Sequence, residues 1–228
     1  MICIILAAGK GTRLAPLTDT TPKPLLMIGE KTILAHTIEQ LPDEITRVVL
    51  MVKHLGDKIK EHFGKKWAGK RITYVTAVSL KGTADMIRQS KKYVKGKTLV
   101  LMGDDLYKKE DLEALIGKPR EGEWAILAKE VENAKEFGVL KFNDAGNLCD
   151  IIERPEKPSS NFINAGAYII DEQFFRYSLA KLANGEYGLP QTMLQARKDI
   201  VIHIVKADFW IPINTLENYE RARKVYSE

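Results

Sequence analysis

The sequence predicts an α/β fold, one domain built on a mixed, mostly parallel sheet flanked by helices, and three observations carry that prediction. Through the first half, short apolar runs of strand length alternate with segments of helical periodicity, which is the pattern of βαβ units. The first run, Ile2 to Leu6, passes directly into a glycine-bearing loop, the usual place for a ligand cradle in an open parallel sheet. From Glu123 onward the rhythm changes to strand, turn, strand, so the second half is expected to add a hairpin-bearing extension to the sheet.

The elements follow in order. ICIIL reads as a buried strand, and TILAHTIEQL as an amphipathic helix. RVVLMV and ITYV are strands separated by the helical LGDKIKEHF, and TLVLM is a strand between GTADMIRQSKKYV and the weaker helical pattern KKEDLEALI. EWAILAKEV, FGVLKF, GNLCDII and INAGAYII are strands, with Asn143 to Asn147 turning between the second and third. Helices are expected at about 171–184 and 189–198, two strands near 200–212, and a last helix at about 215–226. No internal repeat, low-complexity stretch or linker interrupts the chain, so one domain over 1–228 is expected.

Composition excludes several classes. With 45% apolar and 29% charged residues the chain reads as globular. Its apolar runs fall far short of the roughly 20 residues that span a bilayer, and no basic leader precedes the first one, so Met1 is expected to begin the fold. Cys3 and Cys149 lie in strand-like stretches without metal-ligand spacing or a disulfide framework, which suits packing roles in a cytoplasmic protein. A net charge of +5 is spread along the chain without basic-aromatic alternation, so a small anionic ligand is favoured over nucleic acid.

The loop LAAGKGTRLAPLT, Leu6 to Thr18, carries the chemistry. Glycines at 9 and 11 let backbone N–H groups approach phosphate oxygens, and Arg13 and Lys23 can add charge. A tight turn is the alternative. Two phosphate-binding patterns are excluded by spelling: Thr12-Arg13 follows Gly11 where Walker A needs Lys-Ser/Thr, and Leu14 stands where the dinucleotide fingerprint needs its third glycine. Later, Gly103-Asp104-Asp105 places a carboxylate pair at a strand's end, suited to a hard cation or to capping the next helix.

Together with Pro22-Lys23-Pro24-Leu25, the loop resembles the signature of the sugar-1-phosphate nucleotidylyltransferases, and the resemblance extends over nearly the whole chain. It implies a Rossmann-like domain with a small substrate lobe, 1–120 mainly binding nucleotide and 121–228 mainly binding sugar phosphate and completing the sheet. It further implies direct attack of a sugar 1-phosphate on a nucleoside triphosphate (UTP, dTTP, CTP or GTP), assisted by Mg2+. Leu6, Ala8, Gly9, Gly11, Thr12, Arg13, Gly82 and Thr83 would hold the nucleotide, with Arg13 and Lys23 catalytic. Gly138, Glu153, Arg154, Asn164 and Gly166 would hold the sugar phosphate, the Glu153-Arg154-Pro155 copy being favoured over Glu156-Lys157-Pro158. Asp104 would bind the metal, joined by Asn214, because Pro212 occupies the place of the family's usual second Asp; capping the last helix is the alternative role for Asn214. Ala77 stands where many relatives carry a base-reading Gln, which leaves the base open. Partners expected are the two substrates, without nucleic acid or membrane, in a chain that can form a homo-oligomer. The alternatives are a cytidylyltransferase for a non-sugar phosphate such as phosphocholine, and a non-catalytic regulator that binds a nucleotide-sugar.

Overall fold

The computed structural model describes residues 1–226; Ser227 and Glu228, the last two of the expected domain span, lie outside the described residues. In chain order the elements are β1 (Ile2–Leu6), β2 (Met27–Ile28), β3 (Lys31–Thr32), α1 (Ile33–Glu39), β4 (Arg47–Val52), α2 (Gly56–Phe63), β5 (Lys66–Trp67), β6 (Lys70–Thr76), α3 (Thr83–Gln89) and β7 (Thr98–Met102). The second half continues with β8 (Asp105–Tyr107), α4 (Lys109–Gly117), β9 (Trp124–Glu130), β10 (Gly138–Phe142), β11 (Leu148–Glu153), β12 (Phe162–Ile170), α5 (Leu189–Gln195), β13 (Ile202–Lys206), β14 (Trp210–Pro212) and α6 (Leu216–Val225).

Among the described residues ten strands join into one sheet, ordered β11-β10-β12-β7-β1-β4-β6-β5, with β9 pairing β12 and β13. β1 lies between β4 and β7, parallel to both. The chain therefore leaves β1 to one side for β4 and returns to its other side for β7, and the carboxyl ends of the two strands splay a crevice at that reversal. β1 reads ICIIL because both of its faces are covered: Cys3 and Ile5 pack in one core layer with α1, α2 and α4, while Ile4 and Leu6 pack in the other with α3 and α5. Both layers draw side chains from the two halves of the chain. Among the described residues no helix is long and apolar enough to cross a membrane.

Most expected elements form. Thr32 caps α1, its hydroxyl accepting from the Ala35 N–H at 3.2 Å, and the Asn143–Asn147 turn links β10 to β11, the Asn143 N–H donating to the Asn147 carbonyl and the Asn147 N–H to Asn143 Oδ1.

The helix expected at 171–184 does not form. A single 3-10 turn, Glu172–Arg176, is followed by extended Tyr177, and the chain then folds into a small loop closed by the Lys181–Tyr187 bridge. Tertiary partners decide this: the Asp171 carboxylate accepts from the Gln173 N–H and the Trp124 indole N–H, while Tyr187 donates its backbone N–H to the Lys81 carbonyl at 2.7 Å. Asn184-Gly185 supplies the local turn, Gly185 having a φ of +85°. The helix expected at 189–198 ends at Gln195. The two strands near 200–212 also separate, β13 joining the main sheet and β14 pairing only with β8.

Candidate active site

A cleft of about 1060 Å³ opens at the carboxyl ends of β1 and β7. Gly9, Lys10, Gly82 and Thr83 line one end, Gly138, Glu153, Arg154, Asn164 and Gly166 the other, and Asn214 lies between them. Leu6 and Ala8 are buried beneath it and present no side chain to it. Thr12 and Arg13 are exposed in the 3-10 turn that follows Gly11.

The two loop glycines serve different ends. A Cβ at Gly11 would come within 3.0 Å of both the Lys23 Cβ and the Thr18 Cγ2, and its φ of +68° is unsuited to a side chain. Thr18 also donates its hydroxyl to the Gly11 carbonyl at 2.9 Å, closing the loop on itself. A Cβ at Gly9 would meet nothing within 4 Å, and this glycine lines the cleft. The protein itself does not require a glycine there, whereas a ligand lying against the backbone would.

Lys23 opens the short 3-10 turn Lys23–Leu25 and is buried. Its ammonium group donates to Asp104 Oδ2 at 2.5 Å and to Asn214 Oδ1 at 3.3 Å. The pairing of β8 with β14 makes this convergence, since Pro212 lies opposite Asp105 and the Ile213 N–H donates to the Asp104 carbonyl. Thr215 takes the capping role on α6, its hydroxyl accepting from the Asn218 N–H, and leaves the Asn214 side chain to the site. Asp104 does not cap α4, whose N-cap is Lys108.

Asp104 and Asn214 thus aim two oxygens at one position that already receives a cation, which is the donor chemistry of a hard divalent ion. Among the described residues no group of three or more His, Cys, Asp or Glu could hold a metal. Such a site would complete its shell from water and substrate phosphates, the usual arrangement for Mg2+.

Asp105 behaves differently from its neighbour. Its buried Oδ2 accepts from the Trp210 indole at 3.1 Å, and the Tyr107 hydroxyl next to it donates to the Gly166 carbonyl. Burial, reinforced by the charge of Asp104, pushes its carboxyl well above the ordinary range.

At the far end of the cleft, Gly138 and Glu153 are directly paired across β10 and β11. A Cβ at Gly138 would lie 2.9 Å from Glu153 Oε1, so the glycine makes room for that carboxylate. The register of β12 against β9 shifts between Asn164 and Tyr168, a bulge that re-aims side chains. There the Asn164 amide donates to the Tyr168 hydroxyl at 2.7 Å, and its carbonyl oxygen accepts from the Gly166 N–H. Arg154 follows β11 with a φ of +47°, a left-handed conformation that a side chain adopts at a cost of about 1–2 kcal/mol. It lines the cleft, whereas Lys157 does not.

Sequence reasoning does not single out Lys10, Tyr187 or Gln191. Tyr187 and Leu189 pin the Gly82-Thr83 loop: the Ala84 N–H donates to the Tyr187 carbonyl, and the Leu189 N–H to the Thr83 hydroxyl. Gln191 donates its amide to Glu153 Oε1 at 2.9 Å, and its own Oε1 is buried without a partner among the described residues. No local signal could reveal these contacts, because their partners lie far away in the chain; Lys10 alone sits inside the glycine loop.

A family model described as nucleotidyl transferase matches residues 2–227. The chain is 38% identical to the bifunctional protein GlmU of Methanocaldococcus jannaschii, over 91% of its own length and 48% of the relative's. It is 31% identical to the UTP–glucose-1-phosphate uridylyltransferase AglF of Haloferax volcanii, covering 92% of this chain and 89% of that one. The chain spans about half the length of the GlmU relatives it matches. Among solved structures, a Bacillus anthracis protein described as a putative glucose-1-phosphate thymidylyltransferase, in complex with sucrose, superposes with a TM-score of 0.87 over 100% of this chain and 96% of that one, at 24% identity. A UDP-glucose pyrophosphorylase complexed with UDP-glucose gives 0.82 at 20% identity, over 99% and 98%. These two likenesses show the fold. The match across the family model, and the AglF relative aligned over most of both chains, show that this chain belongs to the nucleotidyl transferase family.

Proposed function

We propose that the chain joins a sugar 1-phosphate to a nucleoside triphosphate, forming an NDP-sugar and pyrophosphate. One observation carries this reading: a single cleft runs from the open backbone at Gly9 to the Gly138–Glu153 pair, with the Lys23–Asp104–Asn214 cluster beside its middle. The relative named for UTP and glucose 1-phosphate supports the same reaction class.

In the reaction a phosphate oxygen of the sugar 1-phosphate forms a bond to the α-phosphorus as the bond to the bridging oxygen breaks, and that electron pair leaves with pyrophosphate. The attacking phosphate is already largely dianionic near neutral pH, since its second pKa is about 6, so no protein base is needed. Positioning and neutralising two anions is the main task. Lys23 supplies a cation at the reacting phosphates, Arg13 one beside the triphosphate, and Arg154 one toward the sugar phosphate. Asp104 and Asn214 would hold Mg2+, which lowers the charge repulsion between the substrates when bound. Glu153, held by Gln191, accepts from sugar hydroxyls, and Asn164 and the backbone at Gly138 and Gly166 complete that end. The nucleotide lies along Gly9, Gly11 and Thr12 and reaches the Gly82-Thr83 loop; Leu6 and Ala8 support it from below.

We divide the chain functionally into 1–120 for nucleotide and 121–228 for sugar phosphate, and place the activity in the cytoplasm, where Cys3 and Cys149 remain unpaired thiols. The test is a matrix of ATP, GTP, CTP, UTP and dTTP against several sugar 1-phosphates with Mg2+, scored for pyrophosphate. Release with one or more pairs is expected, and silence across the matrix refutes the reaction.

A further inference from the structure

Beside the main cleft is a smaller hollow of about 250 Å³. Three cationic side chains line it, Arg13, Lys135 and Arg154, against one carboxylate, Glu136, and Asn214 forms part of its wall. Among the described residues none of the three cations makes an ion pair. Uncompensated positive charge of this density around a concave space is a site for a small polyanion.

Lys135 is not there by accident of a loose loop. It sits in a tight turn whose Ala134 is buried and whose Phe137 N–H donates back to the Ala134 carbonyl at 3.1 Å, while its own N–H donates to Asn133 Oδ1. The turn therefore presents the lysine from a buried anchor.

The position of the hollow indicates which anion it takes. Arg154 and Asn214 line both spaces, so the hollow adjoins the reacting centre, whereas Arg13 and Lys135 line the hollow and not the main cleft, on the side away from the sugar phosphate that Arg154 shares. In the reaction proposed above the main cleft takes the nucleoside at Gly82 and the sugar at Glu153, both of which line it. An in-line displacement must expel its leaving group away from the attacking oxygen, and this leaving group carries several negative charges. The hollow is an adjoining space with net positive lining. We propose, on the basis of the reaction above, that Lys135 joins Arg13 in binding the departing pyrophosphate in this hollow.

The test is calorimetric titration of the full chain in metal-free buffer with pyrophosphate, inorganic phosphate and glucose 1-phosphate, using wild type, Lys135→Ala, Lys135→Arg and the exposed-strand control Lys141→Ala. Lys135→Ala is expected to weaken pyrophosphate binding about fivefold to tenfold, the scale of one charged contact at a partly exposed site. Glucose 1-phosphate binding should change less than about twofold, Lys135→Arg should restore most of the loss, and Lys141→Ala should have no effect. Unchanged pyrophosphate affinity in Lys135→Ala, or an equal loss for all three anions or in Lys141→Ala, overturns the proposal. If the substrate matrix shows transfer while pyrophosphate binding ignores Lys135, the proposal alone falls. Pyrophosphate binding that depends on Lys135 in a chain without transfer activity upholds the anion site and removes the reaction.

Discussion

The loop leaving β1 and the loops closing the opposite end of the cleft reach comparable order by different routes. Between Leu6 and Lys23 the structure is assembled from neighbours: Thr18 closes on Gly11, Lys23 packs against it, and short turns follow one another within a dozen residues. The opposite end is assembled from distant partners, with Gln191 fixing Glu153 across 38 residues and the β10–β11 ladder setting Gly138 against Glu153. A locally closed loop can carry a legible motif, because each residue type is demanded by the next few. A wall made of remote contacts leaves each contributor looking ordinary in its own segment.

This contrast can be broken at its phosphate end first. Lys23→Ala should lower turnover about a hundredfold or more, the loss of one contact to the reacting phosphates, with little change in thermal stability because Asp104 keeps access to water. Steady-state kinetics beside a melting curve checks it, and wild-type turnover would remove Lys23 from the chemistry.

Next comes the glycine pair within that loop. Gly11→Ala forces a side chain into a left-handed conformation and a crowded space, so it should destabilise the protein by about 1–2 kcal/mol, or a few degrees of melting temperature for a domain of this size. Gly9→Ala should leave stability within about 0.5 kcal/mol while raising the KM for triphosphate. If both substitutions act alike on the melting temperature, the division between a structural and a ligand-facing glycine is wrong.

The remote end is sharpened by Gln191→Leu. Losing its hydrogen bond to Glu153 should raise the KM for sugar 1-phosphate about fivefold, near the net worth of one such bond, and leave the triphosphate KM unchanged. An equal rise for both substrates would show general disruption.

The smallest effect concerns acid. Burial disfavours the charged form of Asp85, but hydrogen bonds from Ser79, Arg88 and Gln89 outweigh it and hold the carboxyl below its ordinary value of 3.8. A depressed folded-state pKa gives stability that is complete above the unfolded value and is lost as pH falls through the folded one. Asp85→Asn should therefore be less stable than wild type at pH 6, with the gap closing below about pH 3.8 in denaturant titrations.

The same division explains what can be read without coordinates. The alternation of strands and helices, the place of the first strand, the glycine loop and the order of GKGTR, PKP, GTA, GDD, ERP and NAG are all legible, since each rests on periodicity or on residues close in sequence. The stretch 171–184 misleads because its apolar spacing suits a helix in isolation, while hydrogen bonds to Trp124, Lys81 and Thr83 hold that stretch and its continuation in other shapes. The short strand β8 is hidden for a similar reason: three residues make a strand only because β14 lies alongside.

By itself, then, the chain's order of residues determined the α/β class, the buried two-faced β1 and the cradle that follows it, because burial periodicity and turn chemistry act over a few residues. Only the tertiary structure decided that Lys23 and Asn214, 191 residues apart, meet over Asp104, that Gln191 holds Glu153, and that Lys135 shares a hollow with Arg13. Those meetings depend on strand order and loop closure across the whole sheet, and no short window of sequence contains that information.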